Sequence, residues 1–355
     1  MVRRLAVRHL AFAVPGDLAT PTGGYAYDRR MIAELQRLGW RVDVIDLGNG
    51  FPHPDASVKA AARARLTGAP KGCPVVVDGL AFGVLPELAH ALRERTPLVA
   101  LVHHPLALES GLSPAEAGAL SDSERAALAA ARGVVVTSPS TAKLLLDDYA
   151  VPADRITVAP PGTDRAAPAA GSSDGIVRLL AVGAVVPRKG FDVLIAALAR
   201  LAALPWRLAI AGDHTRDPAA AARLDADIAR HGLAGRVEML GALPADRIAA
   251  LYAGSDLFVL ASRHEGYGMA FAEAMAHGLP VIGTTAGAIP DTVPPAAGVL
   301  VAPDDIAALA DALRMLIENP ERRRRLASAA HAAAQALPTW SDSARRFAGA
   351  IETLA

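Results

Sequence analysis

Apolar residues come in short blocks along this chain, and the blocks alternate with longer stretches in which apolar positions return every three or four residues. Short apolar runs mark buried strands of a parallel sheet, and the longer period marks helices laid over it. In the first half the strand-like runs are Leu5 to Val14, Arg41 to Leu47, Pro74 to Val77, Leu98 to Val102, Gly133 to Thr137 and Ile156 to Val158. Helical patterns lie between them, among them Tyr25 to Leu38 closed by Gly39, an alanine-rich stretch between Glu109 and Arg132, and Ser140 to Tyr149. A second series begins at Ile176, with strands at Val177 to Val182, Arg207 to Ala211, Val237 to Leu240, Asp256 to Ala261 and Leu279 to Gly283. Helices are expected at Asp192 to Leu201, around Ala219 to Ala229, and at Ala245 to Tyr252. From Asp304 onward the pattern is helical, broken at Pro338-Thr339-Trp340.

Strictly alternating strands and helices predict an α/β fold with parallel sheets. The length of 355 residues exceeds what one core usually serves, and the stretch Arg165 to Gly175, rich in Ala, Pro, Gly and Ser, has the composition of a linker. Two doubly wound units of similar size follow from that division.

A net charge of zero with 20% charged residues excludes a dedicated nucleic-acid binder and a disordered chain. The single cysteine, Cys73, excludes a disulfide framework and a cysteine-based zinc site. Arg3 and Arg4 imitate the start of a signal peptide, but Arg8 and His9 cut the apolar run and Pro15 closes it. No uncharged apolar run is long enough to span a bilayer, so the expectation is a cytoplasmic protein, at most peripheral at the inner face of the membrane. The arginines Arg322 to Arg325 read as a solvated helical face.

The densest chemistry lies in Arg263 to Gly278, where Glu265, expected in a turn, and Glu273, expected on a helix, stand eight residues apart. On one helix, eight steps return a side chain to within about 80° of its starting direction and roughly 12 Å along the axis, so two such acids could grip two parts of one long ligand. Gly266-Tyr267-Gly268 predicts a turn into a helix from Met269 to Ala276 stopped by Gly278, whose first N–H groups and positive dipole end suit anionic oxygens. Arg188 and Lys189 fall where a loop after a strand meets a helix start, a place for cations that neutralise a diphosphate. Gly23-Gly24, in a loop after the first strand, would let backbone approach a phosphate or would simply make a turn. Asp78, His103 and His104 fall just past strand ends, where ligands of open α/β sheets bind.

Several other chemistries are excluded. Asp225-Ala226-Asp227 spells a metal-binding D-x-D, but on a helix its acids point about 200° apart. The nucleotide-binding P-loop, the dinucleotide glycine fingerprint, G-x-S-x-G and H-E-x-x-H are absent. No acid pair at a strand end looks suited to Mg²⁺ or Mn²⁺, so neither metal nor cofactor is expected.

Glu265-Gly266-Tyr267-Gly268-Met269-Ala270-Phe271-Ala272-Glu273, in its strand-turn-helix setting, resembles the E-x7-E motif of the retaining glycosyltransferases of family 4. The resemblance extends over nearly the whole chain and implies the GT-B architecture, two Rossmann-like domains facing across a cleft. It divides the chain into an N-terminal acceptor domain over 1–165, joined by a last helix over 341–355, and a donor domain over 176–338. Pro161-Gly162-Thr163-Asp164 resembles the interdomain hinge.

The resemblance also implies roles. Glu265 would lie beside the donor sugar and Glu273 at the ribose hydroxyls, with the Tyr267, Gly268 and Met269 backbone facing sugar and phosphates. Lys189 would contact the diphosphate, Gly23 and Gly24 would face the same phosphates, and His103, with His104 as the neighbouring alternative, would stand near the reacting sugar. The family usually carries a phosphate-binding arginine after the glycine that is Gly183 here, whereas this chain has Ala184, and Arg188 is the candidate replacement. The expected activity is metal-independent hexosyl transfer from a nucleoside-diphosphate sugar, UDP-linked or otherwise, to an acceptor that the sequence leaves unidentified. The alternatives are a silent sugar- or nucleotide-binding module and an epimerase or phosphorylase on the same frame.

Overall fold

The computed structural model describes residues 8–109 and 111–354. The expected start of the first strand, Leu5 to Val7, lies outside the described residues. The chain divides into two compact units, one made of 1–162 with 338–355 and the other of 163–337.

The first unit holds β1 (His9–Val14), β2 (Arg41–Asp46), β3 (Val75–Asp78), β4 (Leu98–Val102), β5 (Gly133–Val136) and β6 (Ile156–Val158). All its pairings are parallel, in the order β2-β1-β3-β4-β5-β6. Covered on both faces by helices, the central strands need apolar residues at every position, and β3, β4 and β5 are buried along their whole length. The order reverses between β1 and β3, which sets a topological switch point at their carboxyl ends.

The last helix, Trp340–Glu352, belongs to this unit, and its amphipathic face packs on the first helix, β5 and β6. Phe347 stacks on Phe12 at 6.2 Å, and Trp340 tilts against Tyr27 at 5.9 Å. A Cβ on Gly162 would stand 2.2 Å from the Trp340 amide nitrogen, so only glycine lets the chain leave the unit at that point.

The second unit holds β7 (Val177–Val182), β8 (Trp206–Ala211), β9 (Val237–Gly241), β10 (Leu257–Val259), β11 (Val281–Thr284) and β12 (Gly298–Val301). These are again parallel, in the order β12-β11-β10-β7-β8-β9, with the switch point between β7 and β10. That is the doubly wound order of a nucleotide-binding sheet. The apolar blocks locate five of these strands. They do not reveal β12, an edge strand of four residues that is partly exposed at three of them.

Two expectations about helices need correction. Gly23 and Gly24 do not lie in a loop; they open the first helix, Gly23–Arg37, whose N-cap Thr22 accepts the Tyr25 N–H. The arginine run is not wholly a solvated face either, because Arg323 donates to the Leu316 and Ile317 carbonyls at the end of the helix Ile306–Glu318.

Candidate functional site

In the second unit the chain leaves β10, passes through Leu260 to Gly268, and enters the helix Met269–Ala276. Glu265 therefore sits four residues before that helix. The two acids of the E-x7-E stretch do not share one helical face, and the 80° and 12 Å relation expected for a single helix does not apply. Glu265 is set by its backbone instead: its carbonyl accepts the Ala288 N–H at 2.9 Å, and a Cβ on Gly287 would stand 2.3 Å from that carbonyl oxygen. Gly287 has φ +56°, so a glycine is needed there twice over.

The Glu265 carboxylate is buried between cations. Lys189 Nζ and Ser262 Oγ each donate to Oε1 at 2.6 Å, and the Arg188 guanidinium lies 3.5 Å from Oε2 while donating to the His264 carbonyl at 2.9 Å. Burial works against the charged acid, but the charges of Lys189 and Arg188 and the hydrogen bonds from Lys189 and Ser262 overcome it and hold the carboxyl down at about 2. The lysine stem packs over Gly183, where a Cβ would be 3.2 Å from Lys189 Cε. Arg263 fixes the turn that carries both cations: its N–H donates to the Arg188 carbonyl at 2.7 Å, and its guanidinium reaches the Pro187 carbonyl, Asp192 and Asp304. Ser262 and Arg263 are thus site residues that the sequence did not assign.

Glu273 is half-buried on the helix that follows, and Tyr252 Oη lies 3.1 Å from its Oε2 and 3.2 Å from the Ala270 carbonyl. Burial, then the neighbouring Glu273 charge, push the Tyr252 hydroxyl well above its usual range, so it stays a donor. The Tyr267 side chain turns inward and is buried, and its carbonyl accepts from Thr292 Oγ1 at 2.7 Å. Gly268 takes φ +90° as the N-cap of the helix and offers no side chain, which leaves the Met269 end to backbone N–H groups.

The first unit carries a second cluster, at its own switch point. His103 follows β4, Asp78 ends β3, and Asp28 lies on the first helix. His103 Nε2 lies 3.2 Å from Asp28 Oδ1 and 3.3 Å from Asp78 Oδ2. Both acids are buried. Burial opposes the charged ring, but the hydrogen bond and charge of Asp28, and then those of Asp78, hold His103 up at about 10. Burial in turn lifts Asp28 to about 7. Gly24 faces the ring, with the place of a Cβ 3.3 Å from His103 Cδ2, and Gly23 has open space at its own. His104 goes elsewhere, to Glu109 at 3.5 Å.

Asp28, on the first helix, joins the strand-end Asp78 and His103, and the three bring their polar atoms within 4.8 Å of one another. Asp28 escaped notice because an acid in an amphipathic helix reads as a surface charge. Asp225 and Asp227 lie on the helix Pro218–Arg230, as their pattern implies, and Asp227 pairs with Arg230.

The chain matches the family described as Glycosyl transferases group 1 over residues 165–333 and Glycosyltransferase Family 4 over residues 21–167. It belongs to these family 4 glycosyltransferases. Among curated relatives it is 28% identical to the MMP alpha-(1->4)-mannosyltransferase of Mycolicibacterium hassiacum, over 85% of this chain and 76% of the relative. It is 32% identical to the D-inositol 3-phosphate glycosyltransferase of Nocardia farcinica, over 68% of this chain and 58% of that one. Sucrose-phosphate synthase from Thermosynechococcus elongatus shares its fold, with a TM-score of 0.82 at 22% identity over 97% of this chain and 99% of that one. An Anabaena protein solved with UDP and glucose does so with a TM-score of 0.75 at 20% identity, over 97% and 100% of the two chains. The architecture is GT-B.

Proposed function

We propose that the protein is a retaining hexosyltransferase that takes its sugar from a nucleoside-diphosphate donor. The observation that carries this reading is the Lys189–Glu265–Arg188 group at the switch point of the second sheet, where one carboxylate against two cations leaves net positive charge beside a helix N-terminus. The names of the relatives, which speak of mannosyl and glycosyl transfer, support the same class.

In this reading the second unit holds the donor, and Lys189 and Arg188 oppose the charge that grows on the diphosphate as its bond to the anomeric carbon breaks. Arg188 stands in for the arginine that Ala184 replaces. The acceptor oxygen bonds to the same face of the sugar while a diphosphate oxygen takes its proton, so charge and atoms balance without a protein nucleophile. Glu265 orients sugar hydroxyls, Glu273 the ribose, and the Gly268 and Met269 backbone the phosphates. The first unit supplies the acceptor surface; Gly23 and Gly24 are assigned to phosphates and His103 to the reacting sugar. The reaction needs no metal and runs on the cytoplasmic side.

A thermal-shift screen with UDP, GDP, ADP and their hexose conjugates tests the reading, because a ligand that binds only the folded state raises its stability with concentration. At least one nucleotide pair should raise the melting temperature, and the product anomer by NMR should keep the donor's configuration. No shift with any of them, or an inverted product, overturns the proposal.

A further inference from the structure

The His103 ring is held at Nε2, against one aromatic neighbour and through its backbone, and keeps 20% of its side chain exposed. Asp28 and Asp78 approach the same nitrogen, Nε2, from the first helix and from the end of β3. Asp78 cannot swing away freely, because its other oxygen accepts the Leu80 N–H at 2.8 Å and caps the short helix Gly79–Phe82. Tyr27 packs edge-on to the ring at 5.3 Å, and its own hydroxyl is tied to the Ala159 carbonyl at 2.9 Å. A Cβ on Gly24 would press on Cδ2 at 3.3 Å, and the His103 carbonyl accepts from Thr137 Oγ1 at 3.1 Å. A flipped ring would take Nε2 away from two buried carboxylates and leave them uncompensated.

Nε2 is the ring nitrogen that faces both acids, and a hydrogen on it serves whichever of them is ionised. A neutral ring would then have a bare Nδ1, and only the imidazolium has a hydrogen to offer there. We propose that Asp28 and Asp78 are positioning residues for the transfer: they clamp Nε2 so that His103 stays an imidazolium and presents Nδ1–H, as a donor and never a base, to a hydroxyl oxygen of a sugar bound on the first unit. This rests on the hexosyltransferase reading for the identity of the sugar, though the clamp itself does not. The charged groups packed on the ring are Asp28 and Asp78, with the titratable Tyr27 hydroxyl beyond; His104 is turned to Glu109. The role adds two acids to the site, one of them on a helix where the sequence shows only an amphipathic pattern.

The test uses the full chain labelled with ¹⁵N-histidine, with His103 assigned by His103→Gln. Long-range ¹H–¹⁵N spectra should show His103 as an imidazolium from about pH 6 to about pH 8.5, where ordinary histidines become neutral. A neutral His103 at pH 7.5 overturns the proposal whether or not any sugar is transferred. Asp28→Asn and Asp78→Asn keep size, and the second keeps an oxygen for the Leu80 N–H, so both should fold. Each should move the His103 titration down towards the ordinary histidine range and lower kcat with the donor found by the screen by about tenfold or more, with KM within about twofold, while Asp78→Glu recovers part of the rate. Unchanged kcat in both variants, or an imidazolium that persists in both, overturns the positioning role. One equivalent of tightly held metal in the wild type, lost in both variants, would show that the acids serve a cation instead. If no donor is turned over by the wild type, the hexosyltransferase reading fails and the spectra alone judge the clamp.

Discussion

Each unit buries one charged side chain between two of opposite sign, and the two arrangements are inverses. Around Glu265 stand Lys189 and Arg188, giving one negative charge to two positive; around His103 stand Asp28 and Asp78, giving one positive charge to two negative. The first group is left with positive charge and suits an anionic ligand. In the second, burial lifts Asp28 to about 7, and the two acids hold His103 at about 10 against its own burial. Burial opposes the charge on the central residue of each group, so Glu265 is kept ionised by Lys189, Arg188 and the Ser262 hydroxyl, and His103 by Asp28 and Asp78. Where the majority partners differ in sign, the same packing scheme gives, in the proposed reading, one group that meets phosphates and one that meets neutral hydroxyls.

The harshest way to break the comparison is to remove a majority partner from the second unit. Lys189→Ala leaves Glu265 buried with Arg188 at the longer distance, which should cost about 3–5 kcal/mol of stability. The same change should lower kcat/KM by roughly a hundredfold or more, the usual scale for losing a group aimed at transition-state charge. Urea unfolding and initial rates measure the two effects. A variant with normal rate would separate the lysine from the chemistry.

Next in size is the contrast between the two acids. Glu273→Ala should weaken nucleoside diphosphate and intact donor alike by about tenfold to a hundredfold, the worth of charge-assisted bonds of about 1.5–3 kcal/mol. Glu265→Ala should slow transfer yet bind nucleoside diphosphate at least as tightly as the wild type, because it releases Lys189 and Arg188 from their buried counter-charge. Calorimetry decides; a loss of nucleotide affinity in Glu265→Ala equal to that in Glu273→Ala refutes the division of roles.

The inverse charges also predict opposite pH edges. Glu265 has its folded value lowered from 4.5 to about 2, so its contribution is complete above about pH 4.5 and disappears as pH falls towards about 2. His103 has its folded value raised from 6.5 to about 10, so its contribution is complete below about pH 6.5 and is lost as pH rises towards about 10. Melts at a series of pH values should show Glu265→Gln flattening the acid edge and His103→Gln the alkaline edge. Equal effects of both variants on one edge would contradict the assignment. The smallest expected effect is that of chelation: transfer should continue at an unchanged rate in excess EDTA, since the cations proposed to meet the diphosphate are Lys189 and Arg188. Loss of activity restored by Mn²⁺ would transfer that role to a metal.

Much of the architecture was legible because a strand buried on both faces must be apolar throughout, and a block such as Val75-Val76-Val77 admits few other readings. Gly298-Val299-Leu300-Val301 was not, since an edge strand of four residues is too short to stand out beside Pro294-Pro295 and Pro303. The start of the first helix was obscured by two glycines, which have poor helix propensity, although Thr22 in front of them is an N-cap signal. Within the site, Glu265, Lys189 and His103 could be picked out from motif and strand-end position. Arg188 and Asp78 stood out in the same way, but Asp28 and the pairings did not: Lys189 and Glu265 are 76 residues apart, Asp28 and His103 are 75, and a pairing set by tertiary packing leaves no local pattern.

Gly162 pressed against Trp340 means that the chain departs from the first unit and comes back to it at a single point, after the whole of the second unit has been made. During synthesis the ribosome must add the 190 residues from 163 to 352 before the helix that covers Phe12 and Tyr27 is finished, which takes roughly 10–40 s at bacterial and eukaryotic elongation rates. For that interval the second unit can complete its core while the first stays open on one side, its aromatic residues available to chaperones. The last thirteen residues of helix are therefore the closing step of a domain that began to form first.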